Sequence, residues 1–295
     1  MKNKPAWALV TVPAIVTGAA LLLVAALYRP APDAAPAPAA PSPYFDASWS
    51  ADPQWSDGLA EVAHYAARRV QYGKPRDYEA VLITVSEDFN RAYFAKAEPP
   101  YAGKNLQPVL KLNIVAKYDT ENYPYSYLTS VFVDRKDPTA LVKLTNSSQE
   151  WCGNTFKELK NWVGKAELVY HSYWDAEGDG ALPLDWRAGD LAEDQLPVSL
   201  RGLRFSPGLE LKTRVLPSLI SNAVRKVALV PATLRVESEE RIAGMDAWRV
   251  KVAFGELQQT YWFEKGAPHI LVKFTSSDGR EWTLKSRSRR AYWKR

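Results

Sequence analysis

A mainly β chain is predicted by three observations: runs in which apolar and polar residues alternate, an aromatic content that includes eleven Trp and fifteen Tyr, and turn sequences between the runs. Alternation with a period of two places every second side chain on one face of a strand. Aromatic residues bury large areas and favour pleated surfaces. The predicted fold is one strongly curved antiparallel sheet, half-barrel-like, with two β lobes as the alternative. It follows an N-terminal transmembrane helix.

That helix is predicted over 1–28. Lys2 and Lys4 precede an uncharged run, 6–28, whose length suits the roughly 20 residues that cross a bilayer. Leu27-Tyr28-Arg29-Pro30 is a poor cleavage context, so the segment reads as an uncleaved signal anchor; small residues over 34–40 leave late cleavage as the alternative. No Cys lies nearby to carry a lipid. The charges of Lys2 and Lys4 keep the N-terminus inside and send the rest outward, which predicts a single-pass protein of the cell membrane. Residues 29–45, rich in Pro and Ala, form an extended spacer. Residues 46–295 form the exported β-rich domain, periplasmic or extracellular.

Within it, strands are predicted over 79–85, 110–118, 125–133, 141–145 and 168–174, then 209–216, 226–238, 247–254, 260–264, 269–276 and 280–287. Turn punctuation at 243–246, 265–268 and 276–279 makes the last strands an antiparallel meander. The run 59–70 fits a helix or a strand, with the strand favoured. A short helix is drawn over 218–226, and 178–208 is a long connection between two β halves.

Composition narrows the function classes. With 46% hydrophobic and 24% charged residues the chain is globular rather than disordered. The net charge of +5 is spread among interleaved acids and bases, so no nucleic-acid surface is predicted. The single Cys152 excludes an intramolecular disulfide and reads first as a buried small hydrophobe. It is also the one catalytic candidate, with Gln149, Glu150 and a histidine as helpers. His64, His171 and His269 show no ligand spacing and read as ordinary strand or turn residues. Asp175, Glu177 and Asp179 copy the front half of a calcium loop, but Trp186 stands where the closing Glu belongs, so no metal site is predicted. No cofactor is predicted either, since no phosphate loop, nucleophile elbow or zincin helix occurs. Ser286-Arg287-Ser288-Arg289-Arg290 matches a pyrophosphatase loop in letters, but it lies near the C-terminus, so the basic tail from 285 onward reads as a solvated strand end or a contact with anionic headgroups or cell-wall polymer.

Asn122-Tyr123-Pro124-Tyr125-Ser126, Thr129-Ser130-Val131-Phe132 and Ser147-Ser148-Gln149-Glu150-Trp151-Cys152-Gly153, with Val70-Gln71-Tyr72-Gly73 before them, resemble a family of uncharacterised exported bacterial envelope proteins. The resemblance spans roughly 55–290. It implies an exported envelope protein without an established activity, secreted or lipid-anchored in that family. Taken together, the expectation is a membrane-anchored protein that binds a lipid, a polymer or a partner protein without catalysis, with Tyr170, Trp174 and Trp262 as candidate ligand contacts. A Cys152-dependent enzyme and a structural assembly subunit are the alternatives.

Overall fold

A tight turn sets the first register. Tyr72 and Gly73 both have positive φ (55° and 69°), the geometry of a two-residue hairpin loop whose twist matches its strands. It joins β1 (Ala60–Gln71) to β2 (Lys74–Asn90). Ala243-Gly244 repeats the device between β12 (Val230–Ile242) and β13 (Met245–Phe254). The computed structural model describes residues 42–162, 165–224 and 227–294. The expected anchor helix and most of the spacer lie outside them. Among the described residues no helix is long and apolar enough to cross a membrane.

The other strands are β3 (Ala95–Lys96), β4 (Leu106–Asp119), β5 (Pro124–Asp134), β6 (Leu141–Glu150), β7 (Gly153–Trp162), β8 (Lys165–His171), β9 (Asp179–Leu184), β10 (Leu191–Ala192), β11 (Glu210–Leu216), β14 (Leu257–Glu264), β15 (Leu271–Ser276) and β16 (Glu281–Arg290). All belong to one sheet that does not close, ordered β10-β11-β12-β13-β14-β15-β16-β1-β2-β4-β5-β6-β7-β8-β9, with β3 beside β2. Every pairing is antiparallel except β10 with β11. The two-lobe alternative is thereby corrected. Pairing of β16 with β1 stitches the C-terminal strands to the N-terminal ones, and the basic tail supplies that strand. Arg287 and Arg289 are held there by Glu264 and Asp57.

The run 59–70 is a strand because Ala63, Tyr65 and Ala67 share its buried face, whereas a helix would have scattered them. The same face carries Leu110, Leu112 and Ile114 of β4, Leu144 of β6, Leu234 and Val236 of β12, and Phe263 of β14. The connection over 178–208 is more than a loop. Besides β9 and β10 it holds a buried helical run through Glu193–Gln195, Leu196–Ser199 and Leu200–Gly202. Leu196, Val198 and Leu200 are fully buried against the core face, each stabilising by about 1.5–3 kcal/mol. Arg201 fixes the run: its guanidinium makes two bonds to Glu61 (2.7 and 3.0 Å) and stacks between Trp49 and Trp55. Phe45, read as spacer, belongs to the core and bridges to Leu203. The helix expected over 218–226 is absent from 218–224. That stretch is irregular, because neighbouring side chains take the backbone bonds a helix would need.

Candidate functional site

Consecutive antiparallel strands put alternate turns at one end of a sheet, so the β1–β2, β4–β5, β6–β7 and β8–β9 connections gather together. Beneath this hairpin end lies a cavity of about 480 Å³, within the range of small-molecule sites. Its apolar lining comes from Ile114, Leu219, Ile220, Leu257, Phe274 and Trp282. Its charged lining comes from Arg69, Lys157, Glu193, Asp194, Asp278 and Arg280.

Residues 217–224 cross the cavity as a strap, and buried side chains hold it down. Glu193 accepts from the Ser218 amide (2.8 Å); Asp194 accepts from Ser218 Oγ (2.6 Å) and from the Leu219 amide (2.8 Å). Lys157, only 1% exposed, donates to Ser221 O, Ser221 Oγ and Ala223 O, each at 2.9 Å. The Asn146 side-chain amide lies 2.8 Å from the Leu219 carbonyl, to which its nitrogen can donate while its oxygen accepts from Thr129 Oγ1 (2.9 Å). Thr155 and Trp174 both donate to Asn222 O, and Glu177 accepts from the Val224 amide. A buried lysine or carboxylate is costly unless satisfied, and the strap's carbonyls and amides supply those partners.

The remaining cavity charges form a chain. Arg280 donates to Glu193 (2.6 Å) and Asp278 (2.7 Å), and Glu193 also accepts from Gln259 (2.8 Å), which in turn accepts from the Tyr261 hydroxyl. Burial would lower the Arg280 pKa, but the charges of Glu193 and Asp278 more than offset this and hold it above its ordinary value. Burial, reinforced by the neighbouring Glu193 charge, pushes the Asp194 carboxyl up to about 6.

Arg69 stands apart from this chain. Its guanidinium lies over the rings of Tyr118 (5.1 Å) and Tyr127 (5.2 Å). Burial raises the pKa of both phenols, so they are neutral at pH 7. Arg69 Nε is buried with no hydrogen-bond partner, and Arg69 has no ion pair among the described residues.

The three aromatic residues proposed as ligand contacts do not line the cavity. On β14 the core face takes Gln259, Tyr261 and Phe263, so Trp262 points to the opposite face, where it bonds Glu240 (3.0 Å); one step along a strand reverses the side chain. Tyr170 covers Gly180, whose missing Cβ leaves room for the phenol. Trp174 is partly exposed in the β8–β9 loop and reaches the strap only through Asn222. The aromatic lining comes instead from Tyr78, Tyr261, Phe274 and Trp282.

Cys152 is exposed, which corrects its reading as a buried hydrophobe. It occupies the two-residue turn between β6 and β7, where no layer covers it. Its thiol donates to the Tyr123 hydroxyl (3.3 Å), and no histidine shares a hydrogen bond with it among the described residues. His64 pairs with Glu79, His171 with Asp179, and His269 with a backbone carbonyl. Of the proposed helpers, Gln149 faces solvent and Glu150 accepts from Asn222 of the strap. Around the thiol lies an aromatic rim: Tyr123 stacks on Trp151, which is 78% exposed, and Tyr173 packs where a Cβ of Gly153 would be.

The calcium-like acids do not converge. Asp175 is exposed, Glu177 binds Ser172 and the strap, Asp179 binds His171, and Asp185 pairs with Arg187 and Arg214. No cluster of three or more metal-ligating side chains occurs among the described residues. Comparison with protein-family models, with curated proteins and with solved structures finds no match to this chain.

Proposed function

We propose that this is an exported, membrane-attached binding protein that takes a lipid-like molecule into its cavity without transforming it. The observation that carries this reading is the cavity itself, lined by Ile114, Leu257, Phe274 and Trp282 together with charged groups. An amphipathic guest matches that mixed lining. The sheet is then a strongly curved half-barrel around the guest. Supporting that shape, Lys157 of β7 and Tyr261 of β14 are far apart in strand order yet face the same cavity. Attachment rests on the apolar segment 6–28, and export on the charge asymmetry around it and on the resemblance described above.

The test is recovery of the guest. Full-length chain is purified in a mild detergent, extracted with organic solvent and analysed by mass spectrometry. An amphipathic molecule should be recovered at near one per chain. Ala116→Trp, which puts an indole into the cavity wall, should lower that yield severalfold. A chain that carries no amphipathic molecule, or an unchanged yield from the variant, refutes the reading.

A further inference from the structure

We infer that the guest carries an anionic head group, a carboxylate or a phosphate, and that Arg69 is the residue that receives it. The inference rests on the cavity-binding reading above and specifies the ligand class for that site.

Lys157 is committed to Ser221 and Ala223 of the strap. Arg280 is neutralised by Glu193 and Asp278. Asp194 is held by Ser218 and the Leu219 amide. Each of these groups has its protein partners, and each serves to fasten the strap or to tie β16 to the helical run. Arg69 lacks a carboxylate or hydrogen-bond acceptor among the described residues, and its Nε is buried without one. An unsatisfied buried donor is destabilising, and more so when charged. Tyr118 and Tyr127 return part of that through the faces of their rings.

The two rings attract the cation without taking its N–H donors, which lie along the guanidinium edge. That edge fits a planar carboxylate or two oxygens of a phosphate through parallel hydrogen bonds. Neutral phenols beside it cannot supply the counter-charge, since burial keeps both protonated. The apolar side chains of Ile114, Leu257, Phe274 and Trp282 in the same lining then receive the hydrocarbon part.

The test titrates full-length chain, stripped of bound lipid and held in nanodiscs of a neutral phospholipid, with three probes that share one hydrocarbon tail: dodecanoate, dodecyl phosphate and dodecanol. Calorimetry below the micelle-forming concentration reads each affinity. The wild-type chain should bind at least one of the anionic probes roughly 10–100-fold more tightly than the alcohol, as a charge-assisted pair implies. Whichever anion binds more tightly identifies the head group. Arg69→Gln should bring that anion down to the affinity of dodecanol and leave dodecanol within about twofold. Arg69→Lys should restore part of the preference. If wild-type chain binds dodecanol as tightly as both anions, or if Arg69→Gln keeps the preference, the assignment of Arg69 falls while the cavity reading stands. If none of the three probes binds, the cavity reading itself falls.

Discussion

Asp194→Asn should stabilise the protein at neutral pH and leave it unchanged in mild acid. The carboxyl is buried beside Glu193, and its pKa rises from the ordinary 3.8 to about 6. Between those values the native state holds a proton that the unfolded state has released, so this group's contribution to stability falls as pH rises through the window. Roughly two units at 1.36 kcal/mol each amount to about 3 kcal/mol of cost once the carboxyl is ionised in both states. Asparagine keeps the shape and carries no charge. Its oxygen can accept from the Leu219 amide as Asp194 does, and its nitrogen can donate to Ser218 Oγ in place of the bond that Ser218 Oγ now donates to the carboxylate. Urea unfolding of the full-length chain at pH 4 and pH 7.5 measures the effect as a difference between variant and wild type. That difference should be near zero at pH 4 and about 2–3 kcal/mol in favour of the variant at pH 7.5. Carboxylates with lowered pKa, such as Glu121 beside Arg76 and Asp57 beside Arg289, destabilise both chains in acid and cancel in the difference. A difference that is the same at both pH values would refute the claim that burial of this charge opposes folding.

Two further substitutions probe the frame around the cavity. Arg201→Met strands the Glu61 carboxylate, which is 7% exposed in its side chain, and should cost about 3–5 kcal/mol; adding Glu61→Leu should recover most of it, as a double-mutant cycle by denaturant unfolding will show. Cys152→Ser should shift stability by less than about 0.5 kcal/mol, as at other exposed positions, and the native wild-type thiol should react with a thiol reagent without prior unfolding; a protected thiol would contradict its exposed place in the β6–β7 turn.

Much of the sheet is legible in the sequence because alternation is local. Leu110, Leu112, Ile114 and Ala116 mark β4 without reference to any other residue, and Ala243-Gly244 marks a hairpin by its own backbone needs. β7 escapes the same reading for a definite reason. Lys157 occupies an inward position where alternation leads one to expect an apolar side chain, and its burial is stable only because Ser221 and Ala223, far along the chain, meet its ammonium group. The strap is misread as a helix on the same ground. Its apolar spacing resembles a helical face, yet Asp194, Glu193 and Asn146 bind its backbone from outside and hold it irregular.

The site shows the division most sharply. From the sequence by itself come the β class, the predicted export and the lack of any recognisable catalytic motif, since these depend on composition, spacing and one apolar run. Only the tertiary structure decides that Trp262 faces away from the cavity, that Cys152 stands in solvent, and that Arg69 has no counter-charge among the described residues. Pairing of charges is a property of space: Arg280 finds Glu193 across 87 positions of sequence and Lys157 finds Ser221 across 64. No local pattern distinguishes those satisfied cations from Arg69.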